Sequence, residues 1–202
     1  MNTAYWFCYT LFQKAALAFF SYRVVGSEKL VTDGSVLIAS NHESFLDPPL
    51  VGTAYKHPVY YLARKSLFRG PAAWLYPRLN AIPVDQERPD MTSLKTIIKI
   101  LKQGKQVVIF PEGARTLDGE LQPAQAGTGL IVAKSKATVQ PVRIIGARAA
   151  LPRGSGKMKF SPITVVVGDP ITFSPEELKA KGRDEYQKIS DRIMLEISKL
   201  EA

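Results

Sequence analysis

Short apolar runs dense in valine and isoleucine alternate along the chain with stretches whose apolar positions recur every three or four residues. The first kind reads as buried strand and the second as helix with one covered face. Strands are predicted at 22–26, 36–40, 59–63, 81–84, 106–110, 139–145 and 163–167. In "DMTSLKTIIKILK", Leu94, Ile97, Ile98 and Leu101 share a face, with Asp90 as N-cap and Gly104 as stop. Residues 127–136 read as a shorter helix with Leu130, Ile131 and Ala133 inward. The tail over 175–200 reads as one amphipathic helix along Ile189, Ile193, Ile197 and Leu200. This alternation predicts an α/β fold, a single domain whose mixed, largely parallel sheet of about six to seven strands is covered by helices.

The N-terminal stretch breaks the pattern. Eight of the nineteen aromatic residues lie within the first 22 positions, from Tyr5 to Tyr22. No basic leader or small-residue cleavage site marks it as a signal peptide. Lys14 in its middle opposes a bilayer span, since a lysine at that depth costs about 2.5 to 3.5 kcal/mol. A helix lying in the membrane interface suits the aromatics, with Lys14, Arg23 and Lys29 at an anionic surface; the other reading is a first helix packed on the core or in an oligomer. The expected division is residues 1–22 as a membrane-associated helix and 23–202 as the main domain.

The net charge of +9 calls for an anionic partner: nucleic acid, a membrane surface or a phosphorylated substrate. A nucleic-acid-binding module is disfavoured, because the aromatics cluster in an apolar terminus instead of alternating with basic residues. Cys8 is the only cysteine, and the two histidines, His42 and His57, form no HExxH, so no disulfide and no metal site is expected.

Candidate chemistry gathers where strands end, the edge at which α/β folds bind ligands. "VLIASNHESFLDPP" runs a strand into His42, with Asp47 five residues on. Two readings of Asp47 stay open. It caps a helix whose first residue is Pro48, or it returns to one imidazole nitrogen and leaves the other as a general base. No G-x-S-x-G elbow supplies a serine nucleophile, and Ser44 suits local hydrogen bonding. A base without a protein nucleophile points to a substrate hydroxyl. A second strand end, "VVIFPEGAR", carries Glu112, Gly113 and Arg115; the arginine fork suits two phosphate oxygens, and glycine permits close backbone approach. Lys65 and Arg69, in "YLARKSLFRGP", are further cations for a phosphate site.

Together these blocks resemble the glycerolipid acyltransferases, most closely the bacterial 1-acylglycerol-3-phosphate (lysophosphatidate) acyltransferases. The motif N-H-x-x-x-x-D is matched from Asn41 to Asp47, and F-P-E-G-[ST]-R from Phe110 through Pro111 to Arg115. A middle block "NAIPVDQER" and a V-x-P-V strand containing Pro141 follow the family order. The resemblance implies acyl transfer from a thioester, acyl-CoA or acyl-ACP, to the sn-2 hydroxyl of lysophosphatidate, giving phosphatidate without metal or cofactor. It implies His42 as base, Asp47 as its partner, Glu112, Arg115 and Lys65 in the acceptor site, and Pro141 on the cleft wall. It also implies a peripheral or monotopic membrane protein on the cytoplasmic face, touching anionic lipids and no nucleic acid. Two departures, Ala114 in place of Ser or Thr and Gln86 in place of arginine with Arg88 nearby, bear on the acceptor, so another lysolipid or hydroxylated lipid is the alternative.

Overall fold

The structure, a computed structural model, describes residues 3–84, 91–179 and 181–202. Among these, seven strands join in one sheet: β1 (Arg23–Val25), β2 (Val36–Ser40), β3 (Tyr60–Arg64), β4 (Ala81–Val84), β5 (Gln106–Ile109), β6 (Thr138–Ile145) and β7 (Thr164–Val167). Their spatial order is β1-β7-β6-β2-β5-β3-β4. The strands from β6 to β4 are mutually parallel. β7 pairs antiparallel with β6, and β1 runs parallel to β7, so these two oppose the rest. Both therefore begin at the edge where the parallel strands end, Thr164 lying opposite Ile145 and Arg23 opposite Thr164.

The helices are α1 (Thr3–Phe20), α2 (Asp47–Thr53), α3 (Pro71–Arg78), α4 (Met91–Lys102), α5 (Ala126–Ser135), α6 (Ala147–Ala150), α7 (Pro175–Leu178) and α8 (Arg183–Ser198). α1 and α2 cover one face, packing on Val36, Ile38, Val108 and Ile144. α4, α5 and α8 cover the other, on Leu37, Ala39, Val107 and Val139. All five residues of β2 are buried, as expected of a central parallel strand covered on both faces.

α1 is apolar on both sides but packs with only one. Tyr5, Ala16 and Phe20 are buried, the Tyr5 hydroxyl accepts the Val59 N–H at 3.1 Å, and the Tyr9 hydroxyl donates to the Thr53 carbonyl at 3.0 Å. Phe7, Leu11, Leu17 and Phe19 are exposed. Among the described residues no helix is long and apolar enough to cross a membrane.

Two expectations are corrected. The tail is not one helix: Ser174 and Glu177 close a capping box on the short α7, and Gly182, at φ 95°, starts α8 afresh. In α5 the covered residues include Val132, while Leu130 is only half-buried, because α5 packs beside α4 and α8 in the same layer. The expected cap Asp90 lies outside the described residues.

The α5–α8 contact depends on Gly129. A Cβ there would stand 1.9 Å from the Tyr186 carbonyl oxygen, and the Gly129 N–H donates to Ser190 Oγ at 2.9 Å. Alanine would gain up to about 1 kcal/mol of helix propensity, yet forcing the backbones apart costs about 1–3 kcal/mol. Gly129→Ala should therefore lower Tm by a few degrees in thermal denaturation followed by circular dichroism; a rise would contradict the close approach.

Candidate active site

The turn after β2 winds around one carboxylate. Asp47 is the first residue of α2, with Leu46 in the cap position, so it does not cap that helix. Its side chain reaches back instead. Oδ2 accepts the backbone N–H of Glu43 at 2.6 Å and of Ser44 at 2.7 Å, and lies 2.7 Å from His42 Nδ1. Burial pushes the Asp47 carboxyl above its ordinary range, while the His42 ring and the two amides pull it back. With Nδ1 engaged, His42 Nε2 has no hydrogen-bond partner among the described residues. The ring stacks on Phe110, centroids 3.9 Å apart and planes 16° from parallel, which fixes its orientation.

The other side chains of the turn tie it to neighbouring elements. The Asn41 amide continues the sheet ladder, donating to the Ile144 carbonyl at 2.9 Å and accepting the Ile144 N–H at 2.8 Å. Ser44 Oγ donates to the Leu151 carbonyl at 2.9 Å. Glu43 accepts the Arg148 N–H at 3.1 Å, and burial pushes its carboxyl up to about 7.

Because β5 lies parallel beside β2, the second signature turn emerges at the same edge. Glu112 turns toward the His42 backbone. One oxygen accepts the His42 N–H at 2.7 Å and the other the Gln122 N–H at 3.0 Å, so it acts as a brace between the two turns. The His42 carbonyl accepts the Thr116 N–H at 2.8 Å, and the Pro111 carbonyl accepts the Gln125 N–H at 2.8 Å, closing the loop between β5 and α5 into a ring. Gly113, at φ 75°, makes the tight bend.

Arg115 is half-buried, its guanidinium 3.5 Å over the Phe45 ring, and its Nη1 has no protein partner. Burial and the guanidiniums of Arg153 and Arg64 push Arg115 below the usual arginine range, opposed by Asp47. Arg153 also donates to the Arg115 carbonyl at 2.9 Å. Lys65 and Arg69 stand exposed on the turn beyond β3. Pro141 is buried within β6, level with Ala39, and its ring lies on the Gly168 and Leu200 side of the sheet. Gln86 and Arg88 lie outside the described residues.

Sequence reasoning passed over Arg64, Arg153, Glu43 and the Phe110 stack. Arg64 is the one residue by which β3 outruns its predicted end, and Arg153 sits in the glycine-rich stretch between α6 and β7, outside both signature motifs. Among the described residues no three His, Cys, Asp or Glu side chains group as metal ligands.

A parallel sheet with a histidine–carboxylate pair and an arginine cluster at one edge is the setting in which the comparisons with known proteins fall. The Acyltransferase family model matches residues 21–145, and the chain belongs to that family. It is 31% identical over 153 residues to the 1-acyl-sn-glycerol-3-phosphate acyltransferase of Bacillus subtilis (strain 168), covering 74% of this chain and 73% of that protein. It is 30% identical over 168 residues to the chloroplastic enzyme BAT2 of Brassica napus, which bears the same activity in its name; the match covers 79% of this chain and 48% of that one. The crystal structure of the 1-acyl-sn-glycerophosphate (LPA) acyltransferase PlsC from Thermotoga maritima superposes with a TM-score of 0.73 at 25% identity, covering 96% of this chain and 80% of that chain.

Glu43 makes stability depend on pH. Its folded carboxyl, raised to about 7, holds a proton that the unfolded chain releases near its ordinary value of 4.5. Its contribution is complete below that lower value and is lost as pH rises through about 7. Glu43→Gln, neutral throughout, should gain on the wild type by on the order of 2 kcal/mol between pH 5 and pH 8 in chemical denaturation. A difference flat across that range would contradict the buried-carboxyl assignment.

Proposed function

We propose that the protein transfers a fatty acyl group from a thioester, acyl-coenzyme A or acyl carrier protein, to the sn-2 hydroxyl of 1-acylglycerol-3-phosphate, giving phosphatidate for phospholipid synthesis. The observation that carries this reading is the 2.7 Å His42–Asp47 pair with an unpartnered Nε2, beside Arg115, in a chain of this family. Among the described residues no serine, threonine or cysteine side chain hydrogen-bonds His42, so the nucleophile is the acceptor's own hydroxyl.

His42 Nε2 takes the hydroxyl proton as the oxygen attacks the thioester carbonyl. Asp47 holds the tautomer and stabilises the imidazolium. Collapse of the tetrahedral intermediate breaks the C–S bond, and the imidazolium returns its proton to the departing thiolate. Arg115 receives the acceptor phosphate on its fork, with Arg64 and Arg153 adding positive potential and the exposed Lys65 and Arg69 drawing the anion in. The exposed apolar side of α1 lies in the membrane interface on the cytoplasmic face, where lipid acceptors reside. Ala114, lacking a hydroxyl, favours a second reading in which another lysolipid is the acceptor.

Radiolabelled acceptor transfer with both donors tests the assignment. His42→Ala should lose at least about 10²–10⁴ in rate while remaining folded; retention of a substantial fraction of the activity would remove His42 as base. Arg115→Ala should raise the acceptor KM and leave the donor KM unchanged. Competition between lysophosphatidate and neutral lysolipids separates the two acceptor readings.

A further inference from the structure

Beyond Arg153, which faces Arg115, the segment between α6 and β7 carries an exposed pattern the reaction does not use. From Arg153 to Phe160 every residue is exposed. The run "RGSGKMKF" holds three cations and no carboxylate, with Lys157 and Lys159 alternating with Met158 and Phe160. Met158 is 54% exposed and Phe160 71%. The Phe160 ring stacks on Phe19, itself 52% exposed, with centroids 5.1 Å apart. Scattered single apolar residues are ordinary on a protein surface. A stacked aromatic pair in which neither ring covers the other is a patch.

Topology puts this patch at the edge of the site. β6 ends and β7 and β1 begin where the parallel strands deliver His42 and Arg115, so the segment and the C-terminal end of α1 share that edge. Its backbone is held by the Lys159 N–H on the Ala150 carbonyl at 2.7 Å, and at its other end Arg153 grips the Arg115 carbonyl. We propose that residues 152–160 form a lipid-docking element, in which Lys157 and Lys159 take anionic headgroups while Met158 and Phe160 enter the apolar layer beside Phe19. Cations alternating with large apolar side chains suit a surface that is negative outside and apolar beneath. A second copy of this chain, itself carrying +9, would be repelled. The inference extends the reading that α1 lies in the interface, and it adds a second anchor that turns the site toward the bilayer.

Sedimentation of the full chain with phosphatidylcholine vesicles, with and without phosphatidylglycerol, tests it. Lys157→Gln with Lys159→Gln should weaken binding to the anionic vesicles by roughly fivefold per cation removed, a difference that salt abolishes. Met158→Ser with Phe160→Ser should weaken binding by about tenfold or more, at high salt as well. Both variants should unfold near the wild-type Tm and transfer acyl groups normally to a short-chain acceptor dissolved as monomer. If wild type binds vesicles and these variants bind equally well, the docking element is wrong and the α1 reading stands. Loss of binding in Phe7→Ser with Leu11→Ser alone would assign the contact to α1. Wild type failing to bind any vesicle would overturn both. Self-association of the wild type that the loop variants abolish would give the patch to a second copy and overturn the proposal.

Discussion

One oxygen of Asp47 gathers two backbone N–H groups and the His42 Nδ1, and the site is arranged around that fact. A buried carboxylate is tolerable only where donors replace its lost water. The chain between His42 and Asp47 therefore coils tightly enough to bring its own amides and the imidazole to the same oxygen. Once coiled, its remaining polar side chains point outward at fixed angles. Asn41 meets β6, Glu43 meets α6 and Ser44 meets Leu151, while Glu112 and Thr116 grip the His42 backbone from the neighbouring turn. The histidine is held by the ends of three strands at once.

The cations obey the opposite logic. Arg64, Arg115 and Arg153 come together, and among the described residues none of them makes an ion pair. Like charges gathered without protein counterions repel one another. In the proposed acceptor role an anion would relieve that repulsion as well as form its own hydrogen bonds. The stack of Arg115 on Phe45 holds the guanidinium plane in place.

Much of the sheet was legible in the sequence because buried parallel strands are runs of β-branched residues with little else to become. The two signature turns were legible as polar residues at strand ends. Their internal bonding was not. The resemblance implied Glu112 in the acceptor site, and nothing in the sequence hinted that its two oxygens accept the amides of His42 and Gln122. Arg153 is 38 residues from Arg115 in the chain, and Glu43 is 105 from Arg148, separations at which residue type carries no hint of contact. The break between α7 and α8 was hidden because the apolar spacing of Ile189, Ile193 and Ile197 describes only the second piece, while Ser174 and Gly182 mark its boundaries.

The bond from Gln125 to the Pro111 carbonyl makes the loop between β5 and α5 a closed ring, sealed at its neck before it reaches the sheet. Gln187 holds the Ala124 carbonyl beside the neck at 2.8 Å, and at the far tip Arg148 holds the Leu117 carbonyl at 3.0 Å. Loop-closure entropy grows slowly with length once the ends are joined. The tip near Gly119 is thus a place where evolution or an engineer lengthens, shortens or exchanges the ring as a cassette, reshaping the rim above Arg115 while the strands beneath keep their register.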